Sequence, residues 1–155
     1  MRIFTLQFLA LVFSALSLIP SGAHLAAMPN KMRLDQAGYF VAQGIYAGWT
    51  ILGLLWFAAM IALALLAFVC RGQRRPMGFA LAALACFAFT LIVFFTWTFP
   101  ANQATANWTS APDAWEALRR RWEYSHAANA VIVFLAFVFT ALAVLTWRRP
   151  MSRGL

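Results

Sequence analysis

The chain has 155 residues, 64% of them hydrophobic and 10% charged, with a net charge of +8 and a mean hydropathy of +0.76. Soluble domains average about 45–50% apolar and about 25% charged residues, so a domain this small cannot hide its apolar surface and lipid must cover the outside. The positive charge would suit nucleic acid in a soluble protein, but here the basic residues sit at the ends of apolar segments, where the positive-inside bias accounts for them and nucleic-acid binding is set aside.

Four apolar segments follow in chain order, each reaching the ~20 residues needed to cross a hydrocarbon core of about 30 Å. The first predicted helix covers about residues 3–27, without a formal charge. Arg2, the apolar run and Ser21-Gly22-Ala23 also resemble a signal peptide, but the run exceeds the usual length of about 7–15 residues. A retained helix is therefore expected, and cleavage would leave the other three unchanged. The second segment is uncharged over 36–70, too long for one straight crossing. Tyr39, Gln43, Tyr46 and Trp49 are interfacial residue types, so a helix over about 39–70 is expected to stand partly above the membrane, with 50–69 embedded. The third helix is predicted over about 77–99. The fourth is predicted over about 112–147, apolar from 127 onward, with its first turns outside the lipid.

Ser110, Pro112 and Asp113 read as a capping-box-like start for that last helix. Glu116 with Arg120, and Arg119 with Glu123, are spaced to pair at i,i+4. The fold expected is all-α, a single domain built as a four-transmembrane-helix bundle; no internal repeat is present.

Orientation follows from the loops. Arg2, the basic connection with Arg71, Arg74 and Arg75, and the tail with Arg148, Arg149 and Arg153 belong on the cytoplasmic side. The loops with Lys31, Arg33 and Asp35, and with Asp113 to Glu123, are mixed in sign and face outward. This describes a multi-pass protein of the cell inner membrane with both termini in the cytoplasm. Gly44 and Gly48 form a GxxxG pattern that packs helices within the bundle or between two copies of the chain. Gly78, Ala82 and Cys86 make a similar stripe of small residues. Cys70 and Cys86 should lie at different depths as free thiols, and no Cys/His metal spacing exists.

Polar residues gather at the outward helix ends. His24 closes the first helix, followed by Lys31, read as a snorkelling or headgroup-binding residue. Gln43 and Tyr46 open the second. Asn102 and Gln103 follow the third. Trp115, Arg119, Trp122 and His126 then recur at spacings of four, three and four, on one helical face. Such a cup at the end of a bundle suits a small hydrophobic ligand. In that reading Arg119 holds an oxyanion, His126 moves a proton, and Glu123 biases His126.

Two other readings use the same residues. Trp115 and Trp122 can form an interfacial belt, or dock a partner protein, on a solvated helix. Alternatively His24 and His126 are axial ligands of a haem. An enzyme would turn Arg119 and His126 toward a cavity, whereas a docking face would turn Trp115 and Trp122 outward. Transport is not favoured, because no charged residue lies mid-membrane and no inverted repeat is seen.

In order, the chain carries His24-Leu25 with Pro29, a basic hinge, Phe99-Pro100 with Asn102, and the pattern W-x3-R-x2-W-x3-H from Trp115 to His126. Together these resemble the anthrone oxygenase-like family of small four-helix membrane proteins, over nearly the whole chain. The resemblance implies a cofactor-independent oxidation of anthrone-type phenolic molecules to quinones. Asn102, Arg119 and His126 match the family's polar set, with His24 beside them.

Overall fold

The computed structural model describes residues 3–148; Arg2, Arg149 and Arg153, invoked above for orientation, lie outside them. The described residues are all-α. Helix α1 spans Ile3–Lys31. Asp35 then caps α2 (Gln36–Gln43), its carboxylate accepting from the Gly38 amide at 2.9 Å. Two 3-10 turns, Gly44–Tyr46 and Trp49–Gly53, flank a bend at Gly48 and lead into α3, Leu54–Val69. Helix α4 (Arg74–Val93) continues through a π-helical turn, Phe94–Thr98, into α5, Phe99–Ala104. Helix α6 spans Trp115–Thr146. Four stretches, Ile3–Lys31, Trp49–Val69, Arg74–Ala104 and Trp115–Thr146, are long and apolar enough to cross a membrane, and the chain is a multi-pass membrane protein.

Helix α1 runs on to Lys31 past the expected end near 27, α2 and α4 each start three residues early, at Gln36 and Arg74, and three further boundaries differ from the sequence expectation for physical reasons. The helix expected over 39–70 is broken, because Gly48 adopts φ +81°, a left-handed conformation that only glycine takes cheaply. The helix expected to end near 99 runs on to Ala104. Pro100 has no N–H to give the carbonyl four residues back, and that carbonyl, of Thr96, instead accepts from the Arg121 guanidinium at 2.7 Å. The last helix starts at Trp115 rather than 112. Its N-cap, Ala114, supplies no side-chain bond, and the Ser110–Asp113 capping arrangement does not form.

The four long helices close a ring in which α1 packs on α3 and α6, and α4 packs on α3 and α6. Chain order makes neighbours antiparallel, an up-down-up-down bundle. The inner part of the core is mostly small and aliphatic, Ala59, Leu63, Leu66, Ala80, Ala83, Val133 and Ala136 among others, around the buried ring of Phe87. A second core, centred on Tyr39, Ala101, Trp108 and Trp122, closes the end of the bundle where α1 finishes and α6 begins.

The small-residue motifs do not pack helices within the bundle. Gly44 ends α2 and Gly48 occupies the bend, so they share no helix face, and nothing lies within 4 Å of a Cβ placed on either. Gly78 is exposed with Ala82 and Cys86 half-buried; the buried face of α4 is instead Ala80, Ala83, Phe87 and Thr90.

Helix α1 turns its polarity inward. Phe4, Phe8, Ile19 and Leu25 are exposed, whereas Gln7, Ser14, Ser17, Ser21, His24 and Lys31 are buried. Lipid offers polar groups no partner, so they face the bundle. With Ala10 these residues recur every three or four positions as far as His24, with Lys31 one heptad further on, the seam of a coiled coil. On α6 the matching positions are Arg119, Trp122, His126, Asn129, Val133, Ala136, Thr140 and Ala143. The two seams meet where the Ser14 and Thr140 hydroxyls lie 3.2 Å apart and the His24 and His126 rings 4.0 Å apart.

Candidate functional site

The end of α1, α2, α5 and the start of α6 converge on one cluster, at whose centre stands an ion pair that the sequence did not announce. Lys31 Nζ lies 2.8 Å from Glu123 Oε1, with the two side chains 6% and 0% exposed. Lys31 therefore does not snorkel. Its α-helix carries it to the buried edge of the seam, where its ammonium sits 4.7 Å from the ring centres of both Tyr46 and Trp122. The same Glu123 oxygen accepts from the Tyr39 hydroxyl at 2.9 Å, and Gln43 donates to that hydroxyl in turn. Burial, and then the Glu123 carboxylate, push the Tyr39 phenol well above its ordinary range, so it remains a donor. The Tyr46 phenol is raised by the same two causes.

Arg119 does not pair with Glu123. Its guanidinium donates to the Leu34 carbonyl at 2.8 Å and lies 4.7 Å from the Trp115 ring centre, so it ties α6 to the loop after α1. The other expected pair, Glu116 with Arg120, forms at 3.8 Å on the exposed face. Trp122 is buried and Trp115 half-buried, so neither indole is presented outward as a docking face requires. Arg119 is buried against neighbouring groups rather than set on an open cavity, and His126 is half-buried.

Asn102 has a different task from the one expected. Its carbonyl oxygen accepts from the indole N–H of Trp122 at 2.8 Å and of Trp108 at 3.1 Å. It fixes two rings of the aromatic wall. Trp108 reaches it through three successive left-handed residues, Ala106, Asn107 and Trp108. A left-handed conformation costs a non-glycine residue roughly 1–2 kcal/mol. Here the Thr105 hydroxyl accepts from the Trp108 amide at 3.1 Å, and the Asn107 amide donates to the Asn102 carbonyl at 2.7 Å.

His24 and His126 meet ring on ring, 4.0 Å between centres and 32° apart in plane, with Trp122 at 4.1 Å from His126 and Tyr46 at 4.3 Å from His24. Axial haem ligands face each other across the macrocycle with iron between them. Two imidazoles in face contact leave no room for that plane, so this pair as arranged does not fit a haem. Among the described residues no three of His, Cys, Asp and Glu gather to hold a metal ion.

The cluster is polar beyond its own needs. Glu123 Oε2, Gln43 Oε1, Arg119 Nε and His24 Nδ1 are buried without a hydrogen-bond partner among the described residues. One turn below His126, both amide atoms of Asn129 are likewise unpartnered. Sequence reasoning named His24, Gln43, Tyr46, Asn102, Trp115, Arg119, Trp122, Glu123 and His126, and the structure brings all of them to this end. It missed Lys31 and Tyr39 as members, and Trp108 altogether. The signal for Lys31 and His24 was their place in the inward-facing repeat of α1.

No protein-family model, curated protein or solved structure matches this chain.

Proposed function

We propose that the outward cluster binds a small hydrophobic molecule of phenolic, anthrone-like type and oxidises it with dioxygen. The observation that carries the reading is the group of buried, unpartnered polar atoms on Glu123, Gln43, Arg119 and His24, set within a wall of aromatic rings. Each such atom costs roughly 1–3 kcal/mol when left unpaired, so a ligand with hydroxyl and carbonyl groups gains from reaching them while its rings stack on Trp122, Tyr46 and His126. The resemblance in the pattern from Trp115 to His126 points to the same chemistry.

The ligand arrives through lipid. Residues 36–53 cover the cluster, and their outer side chains Val41, Ile45 and Ile51 are exposed and apolar. His126 takes the proton from the substrate, and Arg119 with Lys31 holds the resulting anion. The carbanion adds dioxygen to give a hydroperoxide at the ring methylene, and loss of water leaves the ketone. Overall one methylene and one dioxygen become one carbonyl and one water. In this reading the chain lies in the inner membrane with both termini cytoplasmic, supported by Arg71, Arg74, Arg75 and Arg148 at one end of the bundle.

The test starts from protein purified in mild detergent from its own membranes. Its extracted small molecules are identified by mass spectrometry, and dioxygen uptake is followed with an anthrone. Stoichiometric uptake lost in His126→Ala supports the reading. Turnover unchanged in that variant, or no uptake and no co-purified aromatic molecule, sinks it.

A further inference from the structure

At the opposite end of the bundle, a cleft of about 580 Å³ lies between the start of α4 and the end of α6. Gln73, Arg74, Arg75, Pro76, Leu145 and Arg148 line it. The Gln73 side chain latches its two sides, donating to the Arg148 carbonyl at 2.7 Å and accepting from the Arg148 amide at 2.9 Å. Three arginines therefore line a cleft whose two sides are held together. The described residues' acids are Asp35, Asp113, Glu116 and Glu123, all at the far end of the bundle, so among the described residues no carboxylate neutralises these arginines. The ion pairs among the described residues, Lys31–Glu123 and Glu116–Arg120, involve none of them. Arg71, in the same loop, is turned aside: it donates to the Phe68 carbonyl at 3.2 Å and lies over the Phe68 ring at 4.4 Å.

We propose that this cleft holds the phosphate headgroup of an anionic phospholipid. Guanidinium forks match phosphate oxygens in pairs, and the volume falls within the roughly 300–1,000 Å³ of small-ligand sites. Its level selects lipid over a free phosphate. The cleft opens where α4 and α6 leave the apolar span, and Leu145 on its rim is exposed to the bilayer, placed to meet an acyl chain. Basic pockets between helices at the cytoplasmic face take phosphate headgroups in this way.

The experiment uses the full chain in mild detergent, with native mass spectrometry to count bound phosphatidylglycerol, phosphatidylcholine as the zwitterionic control, and glycerol 3-phosphate as a soluble competitor. Phosphatidylglycerol is expected to bind, phosphatidylcholine not to bind at equal concentration, and glycerol 3-phosphate to leave the bound lipid in place. Arg74→Gln, Arg75→Gln and Arg148→Gln should each weaken binding roughly fivefold, while Arg71→Gln stays within about twofold of the parent. Equal binding of phosphatidylcholine overturns the proposal, as does displacement by glycerol 3-phosphate at equal concentration. So does an Arg71→Gln loss as large as that of Arg75→Gln, since diffuse charge would then suffice. Should Arg148→Gln fail to fold, Arg75→Gln and the charge-retaining Arg148→Lys decide the matter.

Discussion

Replacing Lys31 by methionine separates two accounts of that residue. If Lys31 only carried its charge to the membrane surface, its loss would resemble that of an exposed ion pair, about 0–1 kcal/mol. In the structure the ammonium lies 2.8 Å from a fully buried Glu123 oxygen and between two aromatic rings. The single variant leaves the Glu123 carboxylate with the Tyr39 hydroxyl alone, in surroundings with little water. Removing one partner of a buried pair costs about 3–5 kcal/mol. At roughly 2–4 °C per kcal/mol for a chain of this size, Lys31→Met should lower the melting temperature in detergent by about 6–20 °C.

The double variant, Lys31→Met with Glu123→Met, removes both charges and fills the space with apolar side chains. It should recover most of the loss, because a buried pair replaced by hydrophobic residues is often neutral or better. Thermal unfolding of the parent, both single variants and the double variant closes the cycle. A Lys31→Met protein that melts within 2 °C of the parent refutes the reasoning, and so does a double variant no more stable than the singles.

Asn102→Leu removes the acceptor shared by Trp108 and Trp122; a loss of about 1–3 kcal/mol and a changed tryptophan emission maximum are expected, and an unchanged spectrum would deny the contact. Gly48→Ala should cost roughly 1–2 kcal/mol through its left-handed backbone, whereas Gly44→Ala, in right-handed helical conformation with open space around it, should be neutral or slightly stabilising. Equal losses at both, the signature of a GxxxG contact, would contradict this. Tyr39 gives a pH dependence. Its folded value is raised above the ordinary 10.0, so its contribution is whole below pH 10 and is lost as pH climbs toward the folded value. Melting temperature should fall more steeply above pH 10 in the parent than in Tyr39→Phe; equal slopes would exclude the effect.

The bundle was legible because the length of apolar segments and the placement of arginines are properties of single segments, readable without knowing what they touch. The gathering of His24, Gln43, Asn102 and Arg119 at one end of the bundle was legible for the same reason. The partners were not. Arg119 and Glu123 have the local spacing of an ion pair, yet Lys31, distant in sequence, competes for Glu123 across the helix seam, and a local rule cannot see that competitor. A lysine at the end of an apolar helix normally reaches for water, so its inward turn shows only when α1 is read as a repeat whose buried positions are polar. Trp108 was hidden by its backbone. Of Ala106, Asn107 and Trp108, only asparagine is a residue type that signals a left-handed conformation. Gly44 and Gly48 misled in the opposite sense, since a motif of helix contact and a glycine required by a turn look alike until the backbone is seen.

The two ends of the bundle put their arginine and lysine side chains to opposite uses, and the contrast bears on function. At the arginine-rich end, Arg74, Arg75 and Arg148 are exposed and solvated, which costs little. At the other end, Lys31, Glu123 and Arg119 are taken out of water, and a buried ion pair seldom gains stability over an apolar pair of the same volume. Tyr39 and the two rings beside Lys31 offset part of that cost, but Glu123 Oε2, Arg119 Nε and His24 Nδ1 are left unpaired within the same cluster. Under the proposed function, such a residue set, in surroundings where each charge acts strongly, serves binding and proton transfer.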